Sequence, residues 1–295
     1  MSTVEIVGAP TDYGASRRGV DMGPSAIRYA DLSGALDAAG VESVDGGDLE
    51  VVRREATGDA IDESARFLPE IEDVCRRLAA RVRESHDAGR TPLILGGDHS
   101  VSIGSLAGTA ADDEDVGVLW LDAHADFNTP STTPSGNVHG MSLAAALGRD
   151  EFAGMPWANA PGIDEENVVW VGLRELDPGE RSAIKASDAT AFPMSTVDER
   201  GMYDVIEAAL AAAGEDVHVS LDLDFLDPNE APGVGTPVQG GATYREAHAA
   251  LEAVAKRDCL RSMDVVEVNP VLDEHNRTAE LAVELAASAF GKRVL

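Results

Sequence analysis

The amino-acid sequence predicts an α/β protein, a single three-layer α/β/α domain with a mostly parallel central sheet of about eight strands. Three observations carry this reading. Short β-branched or apolar runs alternate along the chain with longer amphipathic stretches, the pattern of a parallel sheet covered by helices. No fixed-period repeat or low-complexity linker divides residues 1–295, so they read as one domain. A chain of 295 residues with 44% apolar content is large enough to bury such a sheet.

Strand candidates follow in order: Val4–Gly8, Pro92–Leu95, Val116–Leu121, Val168–Val171, Val217–Leu221 and Leu260–Val266, with weaker ones near Val41–Val44 and Ala191–Pro193. Helix signals lie between them. Gly23-Pro24 puts proline at the first helical position before Ser25–Tyr29. Phe67 to Ala88 carries Leu68, Ile71, Val74, Cys75, Leu78 and Val82 at three- and four-residue spacing and stops at Gly89. Asp204–Ala213 ends at Gly214, and Thr243-x-x-Glu246 is a capping box opening a helix through Val254. The last helix, Ala279 to Phe290, stops at Gly291.

Composition narrows the function. A formal charge of −30 has the wrong sign for a nucleic-acid partner. Apolar tracts are broken well before the roughly 18–20 residues a membrane span requires, and the N-terminus lacks the basic region and apolar run of a signal peptide. Cys75 and Cys259 read as two buried thiols in a reducing cytoplasm. Lysine is confined to Lys185, Lys256 and Lys292 while acidic residues are scattered, which points to a halophile with a high-salt cytoplasm; a GC-rich genome with a mildly acidic proteome is the alternative.

Chemistry-bearing residues cluster just after strand candidates, at the edge where parallel sheets bind ligands. Gly96-Gly97-Asp98-His99-Ser100 follows Leu93-Ile94-Leu95, Asp122-Ala123-His124-Ala125-Asp126 follows Val118-Leu119-Trp120-Leu121, and Asp222-Leu223-Asp224 follows Val217–Leu221. Strand alternation would put Asp122, His124 and Asp126 on one face, and Asp222 with Asp224 likewise. Carboxylates in buried sheet sequence are costly unless something neutralises them. Four aspartates and two histidines suit two cations better than one, and the oxygen-rich set favours Mn²⁺ over Zn²⁺. Two divalent ions and a bridging hydroxide would leave the cluster about one negative charge, which suits a cationic substrate. Downstream come Asn128 and the loop Ser135-Gly136-Asn137-x-His139-Gly140. Gly235-Thr236-Pro237 and Glu267-Val268-Asn269-Pro270 complete the rim. The Gly-rich Pro232–Gly241 carries no phosphate-cradle motif.

The segments GGDHS, DAHADFNT, SGNVHGM, SLDLDFLDPNEAPGVGTPVQGG and EVNPVLD resemble the ureohydrolase superfamily, and within it the arginase family. The resemblance runs from TDYGASRRGVDMGPSAIRYA to FGKRVL, nearly the whole chain. It implies an arginase-like fold and a hydrolase of arginine metabolism and the urea cycle, cutting L-arginine into L-ornithine and urea as a metal-bridging hydroxide attacks the guanidinium carbon. Two Mn²⁺ per chain are implied. His99, Asp122, Asp126 and Asp222 would hold one, and His124, Asp122, Asp222 and Asp224 the other. Asp126 would steady the nucleophile, His139 would shuttle a proton, and Glu267 would pair with the guanidinium.

Specificity follows from the same resemblance. Asn128, Ser135 and Asn137 would contact the substrate α-carboxylate and Asp177 its α-amino group, with Thr236 a further substrate contact on the rim. An agmatinase or formimidoylglutamase-like activity is the alternative. Agmatine lacks the carboxylate and would leave those polar groups unpaired. Glu175 and Phe225 depart from the family pattern, which commonly has Asp and Gly at those positions, and both are expected near the rim. The implied protein is a cytoplasmic homo-oligomer, trimer or hexamer. His86, His218, His248 and His275 receive no role.

Overall fold

The computed structural model describes residues 3–60, 62–111 and 115–293 of the expected domain. Its strands are β1 Val4–Ala9, β2 Ser43–Asp48, β3 Thr91–Gly96, β4 Gly117–Leu121, β5 Val168–Val171, β6 Thr190–Phe192, β7 Val217–Asp222 and β8 Leu260–Val266. They form one sheet in the order β2-β1-β3-β8-β7-β4-β5-β6. Every strand pairing among the described residues is parallel, so each return crosses the sheet through a helical connection.

The helices are α1 Gly23–Tyr29, α2 Leu32–Ala38, α3 Leu68–Asp87, α4 Val101–Thr109, α5 Ser142–Ala146, α6 Pro178–Ala186, α7 Met194–Arg200, α8 Met202–Ala213, α9 Tyr244–Arg257 and α10 Arg277–Ala289. Alternating strand residues assign them to layers. Ile6, Leu93, Leu95, Leu119, Leu121, Val169 and Val219 pack against α1, α2, α7, α8, α9 and α10 in one core. Their neighbours Val7 and Ile94 pack against Leu78 and Val82 of α3, and Val118, Trp120, Val168 and Trp170 against Leu106 of α4 and Leu143 of α5. Both faces are covered, which is why β3, β4 and β5 read as nearly continuous apolar runs.

Departures from the sequence reading have local causes. The weak strand near Val41–Val44 is β2, shifted to Ser43–Asp48. It is an edge strand with mostly exposed side chains, so no core pattern marks its register. Pro193, expected in a strand, instead precedes α7. Helix α4 was hidden by its sequence, VSIGSLAGT, whose Gly, Ser and β-branched residues have low helix propensity. Packing explains them. A Cβ on Gly104 would lie 2.7 Å from the Cys75 carbonyl, and one on Gly108 would lie 2.7 Å from that of Ala79, so only glycine lets α4 approach α3 this closely. Both cysteines are buried free thiols, as expected.

Gly97 leaves β3 where a Cβ would sit 1.8 Å from the Thr11 carbonyl oxygen and 2.7 Å from the Thr11 nitrogen. Backbone cannot yield as a flexible side chain does. Gly97→Ala should therefore cost roughly 2–3 kcal/mol of stability, read as a lowered urea midpoint with unchanged slope; an unshifted midpoint would show that the two segments separate freely.

Candidate active site

Four neighbouring strands, β3, β8, β7 and β4, deliver their carboxyl ends to one place. β3 leads into His99, β8 into Glu267, β7 ends at Asp222, and β4 leads into Asp122. The aspartates do not converge by strand alternation, because β4 stops at Leu121 and Asp224 lies in a 3-10 turn, Leu223–Phe225. Tight side-chain turns do the work instead. The His124 N–H donates to Asp122 Oδ1 at 2.7 Å, and the Asp224 N–H to Asp222 Oδ1 at 2.7 Å. Asp126 and Glu267 have left-handed backbones, φ 50° and 63°. Such strain in non-glycine residues collects at functional sites.

His99 is buried, its ring stacked on Trp120 with centroids 4.3 Å apart. Its Nδ1 lies 3.2 Å from Asp122 Oδ2, 2.9 Å from Asp126 Oδ2 and 3.2 Å from Asp222 Oδ2. None of these approaches has hydrogen-bond geometry, so the nitrogen is an orphan inside a carboxylate cage. A second group is formed by His124 Nδ1, 3.0 Å from Asp224 Oδ2 and 3.5 Å from Asp122 Oδ1. Asp122 belongs to both groups, and the candidate ligand atoms of each lie within 4.8 Å of one another. Trp120 Nε1–H donates to Asp122 Oδ2 at 3.0 Å, and Thr236 Oγ1–H to Asp224 Oδ2 at 2.9 Å.

Electrostatics states the same demand. Burial and the neighbouring carboxylates push Asp222, Asp126 and Asp224 above the usual carboxylate range. Burial alone would depress both imidazoles, but the aspartates around them raise His99 and His124 well above their ordinary value. Negative charge is concentrated beyond what two histidines can offset, and the orphaned Nδ1 points into it. The donor set fits divalent cations.

Above this cluster the cleft divides into lobes of about 260 Å³ and 440 Å³ that share His124, Asn137, His139, Glu175 and Thr236. Asp126, Asn128, Ser135, Asp177 and Asp222 line the first, and Glu267 lines the second. Glu267 Oε1 accepts from the His99 N–H at 3.0 Å and faces His139 Nδ1 at 2.9 Å. Burial would depress the His139 imidazole, but Glu267, helped by Asp126 and Asp98, pushes it up to about 9. Asn128 Nδ2 donates to Asp177 Oδ2 at 3.1 Å, and Asn137 Nδ2 to Ser16 Oγ at 2.7 Å. Glu175 is exposed on the rim, but Phe225 is not near it. Phe225 is fully buried, and a Cβ on Gly172, at φ 105°, would lie 2.5 Å from its ring.

Two residues carried too little sequence signal to be singled out. Glu180, third in α6, accepts from the Asp177 N–H at 3.0 Å and the Phe127 N–H at 3.1 Å, and burial pushes it up to about 7. Its capping-box spacing from Asp177 was the available clue. Arg174 donates to the carbonyls of Asp224 at 2.5 Å, Val238 at 2.8 Å, Phe225 and Leu226 at 3.2 Å and Gly172 at 3.4 Å. A guanidinium that binds backbone at five points ties β5 to the loops carrying Asp224 and Thr236.

Comparison with known proteins places these features in context. The model of the arginase family matches residues 2–291. The arginase of Brevibacillus brevis is 47% identical over 296 residues, covering 99% of each chain. The solved arginase of Bacillus caldovelox superposes with a TM-score of 0.95 at 46% identity, covering 100% of both chains. A structure of Entamoeba histolytica arginase in complex with L-ornithine superposes with a TM-score of 0.89 at 30% identity, covering 99% of each.

A lysine offers three donors from one point and cannot reach five carbonyls. Arg174→Lys should therefore lower stability by about 2 kcal/mol and speed limited proteolysis between residues 226 and 241. An unchanged urea midpoint together with an unchanged cleavage rate would show that water replaces the clamp at no cost.

Proposed function

Because this chain belongs to the arginase family, metal-dependent hydrolases acting on the guanidino group, we propose that its whole length forms one ureohydrolase domain converting L-arginine to L-ornithine and urea. One observation carries the reading. A carboxylate cage that demands cations adjoins Glu267, whose Oε1 is held by His99 and His139 while Oε2 faces Gly235 in the cleft. That leaves one carboxylate oxygen for a guanidinium beside the place where water would be activated.

His99, Asp122, Asp126 and Asp222 would hold one ion, and His124, Asp122, Asp222 and Asp224 the other. The oxygen-rich set favours Mn²⁺. Two such ions supply Lewis acidity, lowering the pKa of water and holding it for attack. The rest falls to side chains. Glu267 would orient the guanidinium, and Asp126 would orient the attacking water. His139, whose Nδ1 faces Glu267 Oε1 at 2.9 Å, would deliver a proton to the departing amine and recover one from solvent. Asn128, Ser135 and Asn137 would meet the α-carboxylate and Asp177 the α-amino group, with Thr236 on the rim. Agmatine offers no partner to the first three, which disfavours it.

No helix among the described residues is long and apolar enough to cross a membrane. We take the protein to work in the cytoplasm as a trimer or hexamer within arginine metabolism and the urea cycle. Its charge of −30 suits a high-salt interior.

Urea release with manganese restored should be greatest from L-arginine, ahead of agmatine and guanidinobutyrate; a wide margin for agmatine would overturn the substrate assignment. Asp126→Asn should nearly abolish turnover and weaken one ion, whereas His139→Asn should slow turnover with metal content still near two per chain. Loss of both ions from the His139 variant would show that its imidazole holds metal instead. The melting temperature should rise from low to molar KCl, and the high-salt reading is lost without that gain.

A further inference from the structure

The sheet face that meets α3, α4 and α5 is apolar apart from Glu5 of β1, which is paired with Arg81 and Arg90, and a patch beneath the carboxylate cage. There β7 and β8 present two cross-strand polar pairs, His218 beside Ser262 and Ser220 beside Asp264, all fully buried. Buried polar groups are costly unless their hydrogen bonds are made, and these are made. Asp264 Oδ1 accepts from Ser220 Oγ at 2.6 Å. Asp264 Oδ2 accepts from Ser105 Oγ of α4 at 2.6 Å and lies 3.1 Å from His218 Nε2. His218 Nδ1 lies 2.7 Å from Ser262 Oγ, which lies 2.8 Å from Thr109 Oγ1 of α4.

The chain of contacts reaches the metal cage through Ser220, whose Oγ lies 2.8 Å from His99 Nε2. Proton counting gives the direction of that link. Burial would push the Asp264 carboxyl up, but His218 and the surrounding donors hold it at about 2, so it can only accept. The single hydroxyl proton of Ser220 is directed at Asp264, and toward His99 the hydroxyl must therefore accept. In the neutral imidazole that a cation requires, the N–H of His99 then sits on Nε2, leaving Nδ1 as the nitrogen that faces Asp122, Asp126 and Asp222. Trp120 fixes the plane of the ring, and Ser220 fixes which nitrogen is bare.

We propose that Asp264 is a positioning residue that, through Ser220, selects the His99 tautomer offering Nδ1 to a cation, while His218 and Ser105 hold Asp264 in place. The proposal rests on the reading of His99 as a metal ligand. It gives a task to His218, a residue with no role in the reaction itself. A partner of this kind typically changes metal affinity about 10- to 100-fold. A mere tie between α4 and the sheet would use the same residues, so stability alone does not separate the two roles. Selective release of one ion does.

The test follows release of both ions from manganese-loaded protein into excess chelator, beside the melting temperature of each metal-free variant. Asp264→Asn is isosteric. Its amide oxygen would take the two donors at the Oδ2 side, its NH₂ would face Ser220, and the serine hydroxyl would turn to donate to His99 Nε2, imposing the wrong tautomer. One ion should leave about 10- to 100-fold faster while the other leaves at the wild-type rate. Ser220→Ala should do the same and Ser220→Thr should restore slow release; if the alanine variant does not fold, Asp264→Asn carries the test. Release of both ions at wild-type rates, or equal acceleration of both in step with a lowered melting temperature, would overturn the positioning role. A wild-type protein that takes up no manganese, or a His99→Asn variant releasing it like wild type, would instead remove the ligand reading beneath it.

Discussion

Negative charge buried at the centre of a parallel sheet is the constraint on which the rest of the structure depends. Asp122, Asp222 and Asp224 are almost wholly inaccessible, and Asp126 is barely less so. Removing an ionised carboxylate from water costs several kcal/mol even after relaxation. Two imidazoles cannot offset four such groups, so the cluster is incomplete as protein alone. Its geometry is held by the turns at Asp122 and Asp222 and by donors from Trp120 and Thr236. The cage is thus organised by atoms outside it, which is what preorganised binding requires.

The sheet supplies this organisation by giving up apolar packing between two of its central strands. The central strands β3, β4 and β5 bury mostly apolar side chains on both faces, the arrangement that stabilises a doubly covered parallel sheet. Between β7 and β8, directly below His99, the face toward α4 is polar at His218, Ser220, Ser262 and Asp264. Arg174 is a comparable concession above the sheet, half-buried and bonded to carbonyls, with no carboxylate partner among the described residues. Its pKa is lowered because burial outweighs the attraction of Asp224 and Asp122. Both devices sacrifice hydrophobic stabilisation for fixed orientation near the same four strand ends.

The carboxylate cage and the polar groups of the rim occupy different depths. The cage and Glu267 sit on strand ends, rigid and buried, while Asn128, Ser135, Asn137 and Asp177 sit on loops around the cleft. Their hydrogen bonds run to one another and to Ser16, Thr132, Thr133 and Glu180, so the rim is internally tied. Loops on a rigid scaffold can change specificity without disturbing the metal cluster.

Sequence by itself determined the parallel sheet, most strand cores, the long amphipathic α3, the four chemistry-bearing strand ends and the family. These are written in local periodicity and in polar residues placed where burial would otherwise forbid them. It did not determine α4, because glycines required by close helix packing mimic a loop. Nor did it reveal the burial of Phe225, which depends on the space left by Gly172 in another strand exit. The turns that gather the aspartates, the five-carbonyl clamp of Arg174 and the pairing of Ser220 with Asp264 were likewise decided only in three dimensions. Each joins residues far apart in the chain or reverses the direction of a side chain just beyond a strand, and local pattern carries no record of either.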